Sequence, residues 1–305
     1  MTRPNPRNLP ASIRQRLLSL SKERGEDYGL VLTRYAVERL LYRLSRSKEG
    51  KLFVLKGAML FATWSGRPHR PTRDLDLLGY GEDSVARLAA LFRKVCLTEV
   101  EPDGMQFDAD TIQVTEIRED QEYQGKRVEF WAGLAGAKIK LQIDIGFGDV
   151  VTPEAKEIDY PTLLDLPSPQ LRAYTRETVV AEKLHAMVAL GIVNSRMKDF
   201  YDLLVMAREF AFDGGMLARA IAATFGRRRT RIPSEVPIAL SEEFARDPDK
   251  VTQWNAFLRR SRLEVPVPDL GDVLKILGGF AMPALRAAAE GNVFDRTWDA
   301  GGPWL

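Results

Sequence analysis

An α+β chain is predicted, with strands gathered between residues 53 and 149 and a mainly helical C-terminal half. Three observations predict it. Apolar and polar residues alternate between Gln106 and Asp149, the period of strands with one covered face. Apolar residues recur at helical spacing on either side of that stretch. Between the two halves, Pro161-Thr-Leu-Leu-Asp-Leu-Pro-Ser-Pro169 breaks both patterns and reads as a linker. The expected division is therefore a core over 1–165 and a helical lobe over 166–305, because single hydrophobic cores stop growing near this chain length.

In chain order, Pro4, Pro6 and Pro10 suggest an extended arm before a helix from about Ser12 to Lys22. Leu32, Tyr35, Ala36, Leu40, Leu41 and Leu44 predict a helix from about Gly29 to Ser45, whose other surface carries Arg34, Arg39, Arg43 and Arg46. Phe53-Val-Leu55 is a short strand leading into Lys56-Gly57, Ala58–Trp64 a helix, and Ser65–Pro71 a loop marked by Gly66, Pro68 and Pro71. A strand with Asp74 and Asp76 follows. Ser84–Val95 is a helix with Val85, Leu88, Leu91 and Phe92 on one side, and Glu82-Asp83 near its start suit the helix dipole. Thr111–Thr115, Lys126–Phe130 and Lys138–Ile145 form a meander. In the last of them Ile139, Leu141, Ile143 and Ile145 share one face, and Lys138, Lys140, Gln142 and Asp144 the other. Beyond the linker, Thr175 caps a helix to Leu190 with Val180, Leu184, Met187 and Val188 on its apolar face, and Gly191 ends it. Ser195–Arg208 is a second helix, with Asp199 and Asp202 on one side. Pro233, Pro237, Pro248, Pro266 and Pro268 interrupt the helices after that, and the glycines near 300 suggest a loose tail.

Hydrophobic residues make up 45% and charged residues 28%, the balance of a soluble globular chain. No apolar run nears the roughly 18 residues that span a bilayer, and the first residues lack a secretory apolar segment, so the cytoplasm is the expected location. The single Cys96 can form no internal disulfide and reads as a helical core residue. With only His69 and His185 beside it, zinc is not expected. The net charge of +2 conceals an uneven distribution: residues 1–50 hold eleven Lys/Arg against five Asp/Glu, and residues 101–170 hold six against fifteen. A basic stretch can track a phosphate backbone, but such faces are also common on proteins that touch no nucleic acid.

Asp74 and Asp76 lie one residue apart in Pro71-Thr-Arg-Asp-Leu-Asp-Leu-Leu78. In a strand both carboxylates point to one face, and two crowded anions there call for a cation or for water. Taken alone, the pair is more often a chance motif of a solvated loop or edge strand than a catalytic one. Asp144 ends a core strand, where it reads either as a third carboxylate or as a solvent-facing acid. Together, three strand carboxylates after a glycine turn are the parts that phosphoryl transfer from a nucleoside triphosphate requires: carboxylates for Mg2+ (or Mn2+), a third that helps the attacking hydroxyl lose its proton, and Gly57 to let the backbone approach phosphate.

The chain resembles the AbiEii/AbiGii-type toxin nucleotidyltransferases, which include the MenT-like toxins, within the DNA polymerase β-like superfamily. The resemblance rests on Val54-Leu-Lys-Gly-Ala-Met-Leu-Phe61, Arg70-Pro-Thr-Arg-Asp-Leu-Asp-Leu-Leu-Gly79 and Ile143-Asp-Ile-Gly146. It continues in Glu177-Thr-Val-Val-Ala-Glu-Lys-Leu-His-Ala-Met187 and Arg196-Met-Lys-Asp-Phe-Tyr-Asp-Leu203. It implies a polymerase β-like core, a mixed sheet flanked by helices, with a helical C-terminal lobe and an NTP-Mg2+ site in the cleft between lobes. By the same resemblance Asp74 and Asp76 are the metal pair and Asp144 the third carboxylate. Lys183 is the family's lysine for the triphosphate, Asp199 the acid of its later motif, and Asp202 a weaker match. Lys56, Gly57, Arg73 and Lys198 join Lys183 as expected nucleotide contacts. The implied reaction adds a nucleoside monophosphate to the 3′ end of tRNA, with an antitoxin protein as partner. One departure stands out: many members carry Lys-Gly-Gly-Thr or a Gly-Ser pair where this chain has Lys56-Gly57-Ala58-Met59, which leaves backbone amides, Lys56 or Thr63 to meet the phosphates.

Read without the family, several of these residues have ordinary alternatives. Lys183 beside Glu182, and Lys198 four residues before Asp202, are also the spacing of surface ion pairs worth about 0.3–0.5 kcal/mol. Arg73 reads as a phosphate contact or as an ion-pair partner of the aspartates, and His185 as a packed helix residue. Arg227, Arg228, Arg229 and Arg231, with the basic helix at 34–46, read as contacts to an RNA backbone or as a solvated helix end. The competing functions are a nucleotidyltransferase acting on a protein or small-molecule hydroxyl, and a silent RNA- or antitoxin-binding module.

Overall fold

The computed structural model describes residues 8–120, 123–261, 263 and 266–305. Its contacts divide the chain into two units, Met1–Gly148 with Lys156–Ala173, and Asp149–Ala155 with Tyr174–Leu305. The mixed α+β class and the central mixed sheet flanked by helices are as expected.

The first unit opens with α1 (Leu9–Arg24) and α2 (Tyr28–Arg46). Asn8 caps α1, its side-chain oxygen accepting from the Ala11 amide at 3.2 Å. Pro10 stands in the first turn, where a missing N–H removes no helical bond, so the helix begins before the expected Ser12. Pro4 and Pro6 lie outside the described residues. The Asp27 carboxylate caps α2 by accepting from the Leu30 amide at 2.9 Å.

The expected basic surface of α2 is largely absent. Arg39 and Arg43 are buried along with Glu38. Arg43 binds Asp103 in two hydrogen bonds of 2.6 and 3.1 Å, and the Tyr35 hydroxyl donates to the Asp103 carbonyl at 2.7 Å. Arg39 donates to the Pro167 carbonyl at 2.8 Å, while Glu38 accepts from the Leu163 amide at 2.7 Å. Helical spacing predicted one apolar face, but α2 is covered nearly all round, and Arg39 and Arg43 serve as internal partners rather than as a surface. The segment read as a linker is held by Arg39 and Glu38.

Next come β1 (Phe53–Lys56), α3 (Leu60–Ser65), β2 (Leu75–Gly79), α4 (Val85–Cys96), β3 (Gln106–Asp120), β4 (Tyr123–Leu134), β5 (Ala137–Phe147), β6 (Lys156–Asp159) and β7 (Gln170–Ala173). They form a seven-stranded sheet in the order β3-β4-β5-β2-β1-β7-β6. β2 is parallel to β5, and β1 to β7; the other neighbours are antiparallel. The β3–β4 and β4–β5 pairs are joined directly as hairpins, the antiparallel β1 and β2 are joined through α3, and the parallel β2–β5 pair is connected by a crossover through α4 and the β3–β4 hairpin. Strand β7, which falls within 166–305, pairs with β1 and belongs to the first unit. Leu75 and Leu77 of β2 align with Ile143 and Ile145 of β5, and all four are buried. α2 packs on β5 and β7, and α4 on β3 and β4. Cys96 is a buried residue of α4 as expected, and burial pushes its thiol up to about 12, so it stays protonated.

The second unit holds α5 (Arg176–Leu190), α6 (Met197–Glu209), β8 (Phe212–Asp213), α7 (Gly214–Arg227), α8 (Glu242–Arg246), α9 (Pro248–Ser261), α10 (Leu270–Glu290) and β9 (Thr297–Trp298). α10 packs against α6 and α7, and α7 against α5. Pro248 opens α9 rather than interrupting a helix, and Pro283 lies inside α10. The tail is docked, not loose: the indole N–H groups of Trp298 and Trp304 donate to the carbonyls of Ala207 and Phe280 at 2.7 and 2.9 Å. Both rings gather around Phe280. Each buries apolar area worth roughly 1.5–3 kcal/mol, which outweighs the glycines' conformational freedom. No helix among the described residues is long and apolar enough to cross a membrane.

Candidate active site

The sheet register assembles the site in the first unit. Lys56 of β1 is aligned with Asp76 of β2, Asp76 with Asp144 of β5, and Asp144 with Arg127 of β4. Residues aligned across neighbouring strands share a face, so two of the expected carboxylates stand side by side with a basic residue at each end of the row. Asp74 immediately precedes β2 instead of lying in it. It remains close enough for its charge to favour the cationic form of Arg127, after the larger effect of the Asp144 hydrogen bonds. Asp74, Asp76 and Asp144 are all part-buried.

Gly57 is required beside Asp76 for two reasons. Its φ of +77° is left-handed, and a Cβ there would overlap the Asp76 carboxylate, with Cγ at 2.7 Å and the Asp76 Cβ at 2.8 Å. The turn therefore lets β1 end against a carboxylate with no side chain between them. α3 follows as a helix of six residues. The Thr63 hydroxyl, one candidate for the missing family hydroxyl, donates to the Leu60 carbonyl at 2.6 Å, so its proton is engaged within its own helix. Arg73 is exposed, with Asp27 as a distant partner at 3.9 Å.

Sequence reasoning missed Arg127. Its guanidinium grips Asp144 through Nε–Oδ1 and Nη2–Oδ2, each 2.8 Å. The signal was present in the chain. Ala135-Gly136, both at positive φ, make a two-residue hairpin turn, and counting outward from it along β4 and β5 sets Arg127 opposite Asp144. Gln142, two residues along the same strand, adds longer contacts of 3.3 and 3.5 Å to Asp144.

Among the described residues, no group of three or more His, Cys, Asp or Glu side chains is arranged to hold a metal ion. The donors nevertheless suit Mg2+. It takes hard oxygen ligands and commonly binds through one or two carboxylates, completing its shell with water and substrate phosphates rather than with an all-protein cage. Asp76 and Asp144, aligned on one face of neighbouring strands, meet that description.

The second unit holds a separate charged cluster. Lys183 Nζ lies 2.6 Å from Asp199 and 2.7 Å from Asp202, and the two carboxylates are 3% and 0% exposed. Lys183 is thus an internal cation on α5 and not, as in the alternative reading, a surface partner of Glu182, which accepts from the Tyr174 hydroxyl at 3.0 Å. Burial opposes the charged form of Asp199, but the Lys183 ammonium and the Arg196 guanidinium outweigh it and hold its carboxyl below the ordinary value. Lys198 is exposed.

The arginine run is split. Arg227, Arg229 and Arg231 face solvent, whereas Arg228 turns inward to Asp149 at 2.9 Å and to His185 Nδ1 at 3.1 Å. Since Nδ1 accepts from Arg228, the other ring nitrogen carries the proton and donates to the Thr230 hydroxyl at 2.8 Å. Burial, and then the Arg228 charge, lower His185 to about 4. It is a neutral packed histidine at pH 7, as read from the sequence.

The family model for the AbiEii toxin, a nucleotidyl transferase of a Type IV TA system, matches residues 39–276. No functionally curated protein matches. Among solved structures, a candidate nucleotidyltransferase from H. pylori is 16% identical with a TM-score of 0.47, over 83% of this chain and 93% of that one. JHP933 from Helicobacter pylori matches at the same identity, TM-score and share of this chain, over 90% of its own.

Proposed function

The chain belongs to the AbiEii family of toxin nucleotidyltransferases, and from that premise we propose that it transfers a nucleoside monophosphate from a nucleoside triphosphate to the 3′-hydroxyl of tRNA, blocking translation unless an antitoxin restrains it. The observation that carries the reading is the alignment of Asp76 with Asp144 on adjacent strands, beside a glycine whose missing Cβ makes room for the Asp76 carboxylate itself.

In this reading Asp74, Asp76 and Asp144 hold divalent cation and orient the acceptor hydroxyl. The cation, when bound, supplies Lewis-acid polarisation of the phosphoryl group and neutralises developing charge. The bond from the 3′-oxygen to the α-phosphorus forms as the bond from that phosphorus to the bridging oxygen breaks. Pyrophosphate leaves with the electron pair, and Asp144 or a neighbouring carboxylate accepts the hydroxyl proton. Lys56, Gly57 and Arg73 contact the phosphates, and Lys183 and Lys198 keep the phosphate role that the family resemblance implies. Asp199 and Asp202 fix the Lys183 ammonium. Arg227, Arg229 and Arg231 contact the acceptor backbone.

The test is purified protein with each labelled NTP, Mg2+ or Mn2+, and total tRNA. Label should enter RNA and should vanish in an Asp74→Ala/Asp76→Ala variant that keeps its unfolding midpoint. Undiminished labelling in that variant overturns the assignment, and label recovered in protein instead of RNA moves the acceptor to a protein hydroxyl.

A further inference from the structure

The Arg127–Asp144 pair does something the transfer reaction does not require of it. Two carboxylates aligned on strands about 4.8 Å apart repel each other, and a sheet holds them there only with a counter-charge. Lys56 stands at the Asp76 end of the row, and at the Asp144 end Arg127 supplies the charge as a fork with one nitrogen on each oxygen of Asp144. A divalent cation shared by Asp76 and Asp144 would need the same carboxylate and would repel the same guanidinium. The pair is also accessible: the side chains of Arg127 and Asp144 are 35% and 20% exposed, so it can open without unpacking the core.

We propose that Arg127 is a positioning residue that stands in for the cation, holding Asp144 in line with Asp76 while no cation is bound and competing with a divalent cation for Asp144. This inference rests on the metal-site reading above. Cation entry is then coupled to release of the guanidinium, whose natural new partner is an anion brought in with the cation, such as a substrate phosphate. The site is thereby set to bind cation and nucleotide together more tightly than cation alone.

Mn2+ binding to the full chain, followed by electron paramagnetic resonance without nucleotide, tests it. Arg127→Met should bind Mn2+ roughly tenfold more tightly than the unmodified protein, within the usual range for coupled sites. Arg127→Lys, which keeps the charge and loses the fork, should fall between them. Lys140→Met removes one positive charge from the same face of β5 without touching Asp144, and its smaller shift sets the long-range electrostatic baseline. The gain should disappear in an Asp144→Asn background. Equal Mn2+ affinity in Arg127→Met and the unmodified protein, with Asp76→Asn abolishing binding in both, overturns the role of Arg127 and leaves the metal site standing. Absence of Mn2+ binding in every variant overturns both. Should Arg127→Met fail to fold, the Arg127→Lys and Lys140→Met comparison decides alone: a gain in Arg127→Lys no larger than in Lys140→Met overturns the proposal.

Discussion

Gly57 carries two constraints in one position. Gly57→Ala forces a side chain into a left-handed turn and onto the Asp76 carboxylate, so it should cost roughly 1–3 kcal/mol and displace a proposed metal ligand. Denaturant unfolding measures the first effect; a variant with unchanged midpoint and unchanged nucleotide transfer would show that the turn has another way to accommodate Asp76. Lys183 poses the reverse problem, because its family role and its structural role predict the same loss of activity. Lys183→Met strips the ammonium from between two buried carboxylates and should destabilise the second unit by about 3–5 kcal/mol. A Lys183→Met/Asp202→Asn pair that regains stability but not activity separates binding of the triphosphate from internal charge balance. If activity returns with stability, Lys183 acts only on the fold.

At the scale of elements, α2 and the end of α7 exchange the parts that charge alone suggested. Arg39 and Arg43 of α2 are buried, so Arg43→Gln should lower the unfolding midpoint by stranding Asp103 while leaving RNA affinity unchanged. The solvent-facing Arg227, Arg229 and Arg231 behave oppositely. Replacing all three with Gln should leave the midpoint in place and make the salt dependence of RNA binding shallower by roughly two in log–log slope. An unchanged slope in filter binding would remove the α7 end from the acceptor surface. Arg228 belongs with the first group, since its guanidinium is engaged by Asp149 and His185.

For the whole molecule, two buried titrating groups pull stability in opposite directions with pH. His185 is lowered to about 4 against an ordinary 6.5, first by burial and then by Arg228, so its contribution is complete above pH 6.5 and is lost as pH falls through 4. Glu38 is raised to about 7 against an ordinary 4.5 by burial, which Arg39 only partly offsets, so its contribution is complete below pH 4.5 and is lost as pH rises through 7. Thermal midpoints should therefore show a shallower acid-side fall in His185→Gln and a shallower decline from pH 4.5 to 7 in Glu38→Gln. Parallel curves for variant and parent would mean that neither group changes its proton affinity on folding. Local signals decided much of the fold in advance: alternation along residues 138–145 set the face of Asp144, the helical period located α2, α5 and α6, and the family motifs named Asp74, Asp76 and Lys183. These are properties of neighbouring residues, and a period or a spacing suffices to reveal them. What only the tertiary structure decided is pairing at long range. Burial of Arg39 and Arg43, docking of Trp298 and Trp304, and the Lys56–Asp76–Asp144–Arg127 row each join residues distant in sequence. Charge and glycine content describe a residue by itself, whereas its burial and its partner depend on which strands and helices the rest of the chain brings beside it.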